Sequence, residues 1–254
     1  MKGFFLAFIG FTVINSYNLI RVTVPNSNKQ SLVNKTNLNY SSSNCEVKSW
    51  VVKNSDYTNG KIFVVRIKKN KMSFVVTKKP SDYDFYINAN FFADRPIGEV
   101  MIDKKVINKR KSGGGYFVSS QDNFDFTINS RPRNVSYSSQ THLVGIKNGK
   151  LNSGIMYQRW SKASAYRILL GKDKQGNFVA LHSDRYAQVS IQQICEIGIK
   201  EGLVTGLVFD GGTSVDVEIN DGLFSHGFSV VPSFARSFNK DLQPPVYIAG
   251  NFRD

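Results

Sequence analysis

Along most of this chain apolar and polar residues alternate with a period of two, in short runs broken by glycine, asparagine and aspartate. That is the pattern of half-buried strands separated by tight turns. It predicts strands at residues 62–67, 72–76, 85–92, 124–128, 143–146, 167–170, 178–182, 207–210, 215–219 and 246–248. Lys147-Asn148-Gly149 and Asp221-Gly222 read as hairpin turns, so the pairing is expected to be mostly antiparallel. One segment has a helical period instead. Ser190 can cap it, Gln193 closes a capping box, Ile191, Ile194 and Cys195 face inward, and Gly202 stops it. The expected fold class is α+β: a mostly antiparallel β-sheet core with a few packed helices and no internal repeat.

Within this pattern one stretch stands apart. The apolar run Leu207-Val208-Phe209 leads straight into Asp210-Gly211-Gly212-Thr213-Ser214, and Val215, Val217 and Ile219 then alternate with Asp216 and Glu218. A carboxylate at the end of a buried strand, followed by glycines that let a ligand approach the backbone, is a candidate site; a solvated turn between two strands is the plain alternative. Upstream, Phe85-Tyr86-Ile87 delivers Asn88, Ala89 and Asn90 to a strand end before Phe91-Phe92 and Gly98-Glu99. Between the two lie Arg167-Ile168-Leu169-Leu170-Gly171 and a strand ending His182-Ser183-Asp184.

These blocks, in this order, resemble the phosphodiester glycosidase family. Its members carry Asn-Gly-Gly-Phe-Phe or Asn-Ala-Gly-Phe-Phe, then Arg-Thr-Ala-x-Gly, a strand ending near His/Val-x-Asp, a helix, and Asp-Gly-Gly-Gly-Ser. Here Asn90 stands where the family has glycine, Thr213 replaces the third glycine, and Ile168-Leu169 replace Thr-Ala. The resemblance runs from Tyr83 to the C-terminus, with Pro232-Ser233 and Arg236 similar to the family's closing segment. It implies hydrolysis of a sugar-1-phosphodiester in a glycan or glycoconjugate. A phosphomonoester leaves more readily than an alcohol, so the main requirement is a carboxylate that activates water or stabilises the oxocarbenium-like centre.

Asp210 is the first candidate for that role and Glu99 the second, with His182 as a proton donor to the leaving oxygen or a satisfied strand-end histidine. Arg167 is the natural phosphate ligand, or a structural partner for a buried acid such as Asp210. Asn88, Asn90, Thr213 and Ser214 would bond sugar hydroxyls or phosphate, and Gly211 and Gly212 would offer backbone N–H groups. The scheme needs no cofactor and no metal, although Asp, Asn and backbone oxygens would suit calcium.

Composition changes this picture mainly through charge. With 254 residues and 41% hydrophobic composition the chain can bury one substantial core. The formal charge is +14, densest at residues 66–71 and 104–111. Those runs suit an anionic glycan or cell-surface polymer, as in an exopolysaccharide, better than nucleic acid, for which no motif is present; a solvated strand edge explains the first run equally well. A basic start and an apolar stretch at residues 3–14 read as a signal peptide over 1–16, or as a membrane tether if Leu19-Ile20 extend it. An exposed Asn-, Ser- and Lys-rich linker follows over 17–45, and the phosphodiester glycosidase-like domain occupies 46–254. The expected location is secreted or extracytoplasmic. Cys45 and Cys195 allow one disulfide or two buried thiols, and Asn34, Asn39 and Asn134 begin glycosylation sequons. Two rivals remain: a non-catalytic glycan- or surface-binding protein on the same fold, secreted or phage-associated, and a nucleic-acid binder whose affinity falls steeply with salt.

Overall fold

In the computed structural model, which describes residues 31–53, 59–92, 96–120, 123–230 and 246–253, alternating side chains cover both faces of an eight-stranded sheet. Its order is β1 (Ser31–Ser41), β2 (Cys45–Lys53), β3 (Asn59–Ile67), β16 (Phe178–Ser183), β15 (Ile168–Asp173), β17 (Leu203–Phe209), β13 (Leu143–Lys147) and β14 (Lys150–Leu151). Two five-stranded sheets pack with it. One runs β19 (Ser225–Ser229), β18 (Asp216–Asn220), β5 (Phe85–Asn88), β20 (Tyr247–Phe252), β4 (Met72–Thr77). The other runs β11 (Asn123–Ile128), β10 (Gly115–Ser120), β12 (Tyr137–Thr141), β8 (Val100–Ile102), β9 (Lys105–Asn108). A small pair joins β6 (Phe91–Phe92) to β7 (Pro96–Ile97). Every strand pairing among the described residues is antiparallel, as the turn residues predict.

The core lies in two layers because each central strand is apolar on both faces. On one face Val65, Ile168, Phe178, Leu207 and Phe209 meet Phe74, Ile87, Phe117, Phe126 and Ile248 of the smaller sheets. Phe178 sits among aromatic rings, 4.6 Å from Phe74 and 5.6 Å from Phe85 by centroid. On the other face Val64, Leu169, Leu181 and Val208 pack with Ile191, Ile194 and Ile197 of a helix. Besides a single turn, α1 (Ser153–Met156), that helix, α2 (Ile191–Lys200), is the one sizeable helix among the described residues, so the α+β expectation reduces to a sheet-dominated fold. Its capping box forms as the sequence predicts, with Ser190 Oγ accepting from Gln193 N at 3.1 Å and Gln193 Oε1 from Ser190 N at 2.8 Å.

Three expectations change and one open alternative is decided. Residues 31–41, assigned by sequence to the linker, pair with β2 from Ser31↔Lys53 to Ser41↔Glu46. An edge strand is held through backbone N–H and C=O groups, which need no apolar pattern, and Leu38 there is 61% exposed. The predicted strand 85–92 breaks into β5 and β6 because Asn90 turns into the left-handed region at φ +61. Cys45 and Cys195 are buried free thiols on opposite faces of the large sheet, so no disulfide can join them, and burial pushes them up to about 11 and about 12. Arg66, counted in the first basic run, is not a free surface charge: it bonds Glu46 at 2.8 Å, Asp173 at 3.2 Å, and the Glu201 carbonyl at the end of α2 at 2.7 Å. The signal-peptide segment and the closing Pro232-Ser233-Phe234-Ala235-Arg236 lie outside the described residues.

Candidate active site

Three neighbouring strands of the large sheet end on the same side. Ile168 of β15 pairs with Phe209 of β17 and with His182 of β16. Continued by one residue, the register puts Asp210, Arg167 and Ser183 in one row across adjacent strands, each about 5 Å from the next along the backbone. Two backbone contacts fix the row: Ser183 N donates to Arg167 O at 3.0 Å, and Gly212 N donates to Tyr166 O at 2.9 Å. Arg167 N in turn donates to Ser183 Oγ at 3.0 Å.

Asp210 is held from below by Asn88. The fully buried Asn88 amide donates to Asp210 O at 2.9 Å and accepts from Asp216 N at 2.9 Å, which clamps both ends of the 210–216 loop to β5. Burial raises the Asp210 carboxyl to about 6, and the Ser214 hydroxyl offsets this only in part. Gly211 is required by contact: a Cβ there would sit 2.2 Å from Tyr166 O and 3.2 Å from Arg167 Cα. Gly211→Ala is therefore expected to push the Asp210 peptide off β15 and to cost tenfold or more in turnover, measured beside circular dichroism that reports an intact sheet. An unchanged rate would mean that this loop does not position the reacting group.

Arg167 points to the helix side of the sheet. Its Nε donates to Val189 O at 3.2 Å and an Nη to Ala163 O at 2.7 Å, and burial lowers its pKa. It has no carboxylate partner among the described residues, so the reading of Arg167 as the structural partner of Asp210 does not describe this structure. Thus the backbones carrying a partly buried cation and a partly buried carboxyl group are adjacent, and the two charges are not paired with each other. An anionic group bonded to a sugar would relieve the first and react at the second.

The remaining sequence candidates fall elsewhere. Asn88 spends its amide on the loop backbone. Asn90, also fully buried, accepts from Ser139 Oγ and directs its Nδ2 at Ile97 O, 3.5 Å away, so both asparagines are scaffold rather than substrate contacts. Gly212 N is taken by Tyr166 O, which leaves Gly211 N as the glycine donor. Glu99 accepts from Ser138 Oγ at 3.0 Å and pairs with Arg131 at 2.5 Å. That is the outer face of the sheet holding β8 and β12, opposite the face that Ser139 shares with Phe117. Contacts of this kind make it a partner for Arg131 and not for Asp210. His182 is fully buried, with its ring stacked on Phe63 and Phe228 and its Nε2 3.2 Å from His226 Nε2. Burial lowers it to about 3, so it stays neutral inside the core and donates no proton to a leaving group. The side chain of Thr213 lies outside the described residues. No group of three or more His, Cys, Asp or Glu that could hold a metal ion occurs among the described residues.

Two groups were not named as site candidates from the sequence. Asp184 follows Ser183 at the end of β16, is raised by burial, and accepts from Tyr186 N at 2.8 Å. Its signal was the one that marked Asp210, a carboxylate directly after an apolar strand. His142 lies between β12 and β13, next to β17, with its Nε2 buried and unpartnered and its pKa lowered by burial. No periodicity marked it.

A family model described as phosphodiester glycosidase matches residues 81–227. Among solved structures, the fold is similar to the catalytic domain of zebrafish N-acetylglucosamine-1-phosphodiester alpha-N-acetylglucosaminidase, auto-inhibited by its pro-peptide. The TM-score is 0.60 at 12% identity, covering 86% of this chain and 88% of that one. A hypothetical protein from Synechocystis gives a TM-score of 0.57 at 12% identity, covering 83% of this chain and 62% of that one. No curated protein matches the chain in sequence.

Proposed function

Since the chain belongs to the phosphodiester glycosidase family, we propose that it hydrolyses a sugar-1-phosphodiester, with Asp210 as the reacting carboxylate and Arg167 as the phosphate ligand. The observation that carries this reading is the juxtaposition of an unpaired Arg167 and a raised Asp210 on adjacent strand ends. The two N–H groups that Arg167 gives to carbonyls fix its plane, and the rest of its fork can bind two phosphate oxygens. The anomeric carbon then falls toward Asp210, which in its ionised form activates water or stabilises the positive charge that grows as the C1–O bond breaks. The phosphomonoester leaves as an anion beside Arg167, so the absence of a proton from His182 is no obstacle. The sugar named for the zebrafish enzyme, N-acetylglucosamine, is the first to try here.

The apolar stretch at residues 3–14 supports export, and no described helix is long and apolar enough to cross a membrane. A phosphate-bearing glycan outside the cytoplasm is the substrate class that fits both charge and family.

An ionised Asp210 sets the pH dependence. With the carboxyl raised to about 6, the active form is scarce below that pH and complete above it, so kcat/KM on a panel of sugar-1-phosphodiesters should climb tenfold per pH unit below 6 and level off near 7. A profile that falls as pH rises through 6 would assign Asp210 the opposite role, that of the acid. No turnover on any member of the panel would favour glycan binding without catalysis.

A further inference from the structure

The outer face of the sheet formed by β8 to β12 carries a groove of about 680 Å³ that the proposed reaction does not use. Lys104, Arg131 and Arg133 line it together with Ser120, Ser136 and Asn134, and none of its described lining residues is acidic. Glu99 is tied to Arg131 but is 5% exposed and lies beneath it, while Asp103, next to Lys104, turns to the Tyr137 hydroxyl. Neither Lys104 nor Arg133 has an ion-pair partner among the described residues. Lys104 is fixed at its backbone, where its N–H donates to Ser136 O at 2.7 Å, and Arg131 is anchored through Glu99. Lys104 and Arg133 therefore present their charge to the groove without a carboxylate partner among the described residues.

We propose that this groove is a second saccharide-binding site, one that takes a sugar bearing a phosphate or sulfate ester. Two guanidinium groups and an ammonium match a tetrahedral oxyanion. Met101, Val106 and Val135 give an apolar wall for the CH face of a pyranose ring, while the serine hydroxyls and the Asn134 amide suit ring hydroxyls. The volume fits a short oligosaccharide. Nucleic acid fits less well, because none of the lining residues is aromatic and bases would have nothing to stack on.

The groove is separate from the Asp210 row. It opens at the Ser136 end of β12, whereas Thr141 at the other end bonds Val208 O, two residues before Asp210. Five residues of strand amount to about 17 Å. The inference therefore stands or falls independently of the glycosidase reading. A charged site at that distance would hold a repeating anionic glycan while another of its linkages reaches Asp210.

Calorimetry on the full chain, with glucose 6-phosphate, glucose 6-sulfate, inorganic phosphate and glucose as probes, tests the proposal. The esterified sugars should bind, inorganic phosphate should bind more weakly than either and glucose should not bind, and in NMR titrations amide shifts should fall at Lys104, Ser120 and Ser136. Comparing the phosphate and sulfate arms identifies which ester the groove prefers. Lys104→Gln with Arg133→Gln should weaken binding at least tenfold and leave turnover of small phosphodiesters unchanged, while Asp210→Asn should leave groove binding intact. Equal binding of glucose and its esters, affinity unchanged in the double variant, or tighter binding of a short duplex DNA than of either ester would each overturn it.

Discussion

Asp210→Asn is expected to lower kcat by about 10³-fold and, at neutral pH, to make the protein more stable. Both effects come from the same burial. Asparagine keeps the shape of the side chain and its hydrogen bond to Ser214 but can neither ionise nor take a proton. Because the folded carboxyl is raised to about 6, it is the protonated form that the fold favours. The sign follows from linkage: stability is full below the unfolded carboxylate range near pH 4, declines as pH rises through about 6, and stays reduced above it. Discounted for its partial exposure, that ionisation costs the wild type on the order of 2 kcal/mol at pH 7.5, a midpoint change of roughly 4–8 °C for a domain of this size. The variant avoids this cost, so its gain should appear at pH 7.5 and vanish at pH 4. Thermal melts at the two pH values, run beside the turnover assay, separate loss of a reacting group from loss of fold. Full turnover by Asp210→Asn would remove the central claim about this site. A dead and equally stable variant would keep the catalytic role but contradict the burial argument.

The second large effect is structural. Arg66→Met is expected to cost about 3–5 kcal/mol and to lower the melting midpoint by roughly 10 °C. Arg66 serves three carboxylates at once, and two of them are almost wholly buried, Asp173 with 2% and Glu201 with 7% of the side chain exposed. Without the guanidinium those charges stay in a region of low dielectric. Lys48 pairs with Glu46 at 2.9 Å and Glu201 at 4.0 Å but not with Asp173, so it replaces the guanidinium only in part. The Glu201 carbonyl at the end of α2 also loses its donor, so the helix that covers one face of the sheet loosens there. Adding Asp173→Asn and Glu201→Gln to Arg66→Met should recover part of the loss, because neutral partners no longer need a cation. A cost below about 1 kcal/mol for the single change would place Arg66 among ordinary surface ion pairs.

Much of this protein was legible in its sequence because the information was local. The apolar runs at 178–182 and 207–210 located two inner strands, observed as Phe178–Ser183 and Leu203–Phe209, the Ser190 and Gln193 pair located the start of the helix, and Asn148-Gly149 marked a hairpin that the structure closes with both residues at positive φ. The blocks beginning at Asn88, Arg167 and Asp210 identified the family. The edge strand Ser31–Ser41 escaped because a strand held by its backbone alone leaves no mark on side-chain periodicity. His142 escaped because one residue between strands has no period to read.

The sequence by itself determined the strands, the family and the strand-end position of Asp210, since each depends on residue type at short separation. Only the tertiary structure decided which polar groups are bonded within the protein. Asn88, Glu99, His182 and Arg66 each allowed a reading as free chemistry in one dimension. In three dimensions their partners, Asp216, Arg131, His226 and Asp173, come from 32 to 128 residues away in the chain. A side chain spent on a buried partner is no longer available to substrate, and long-range pairing of that kind has no signature until the sheets close.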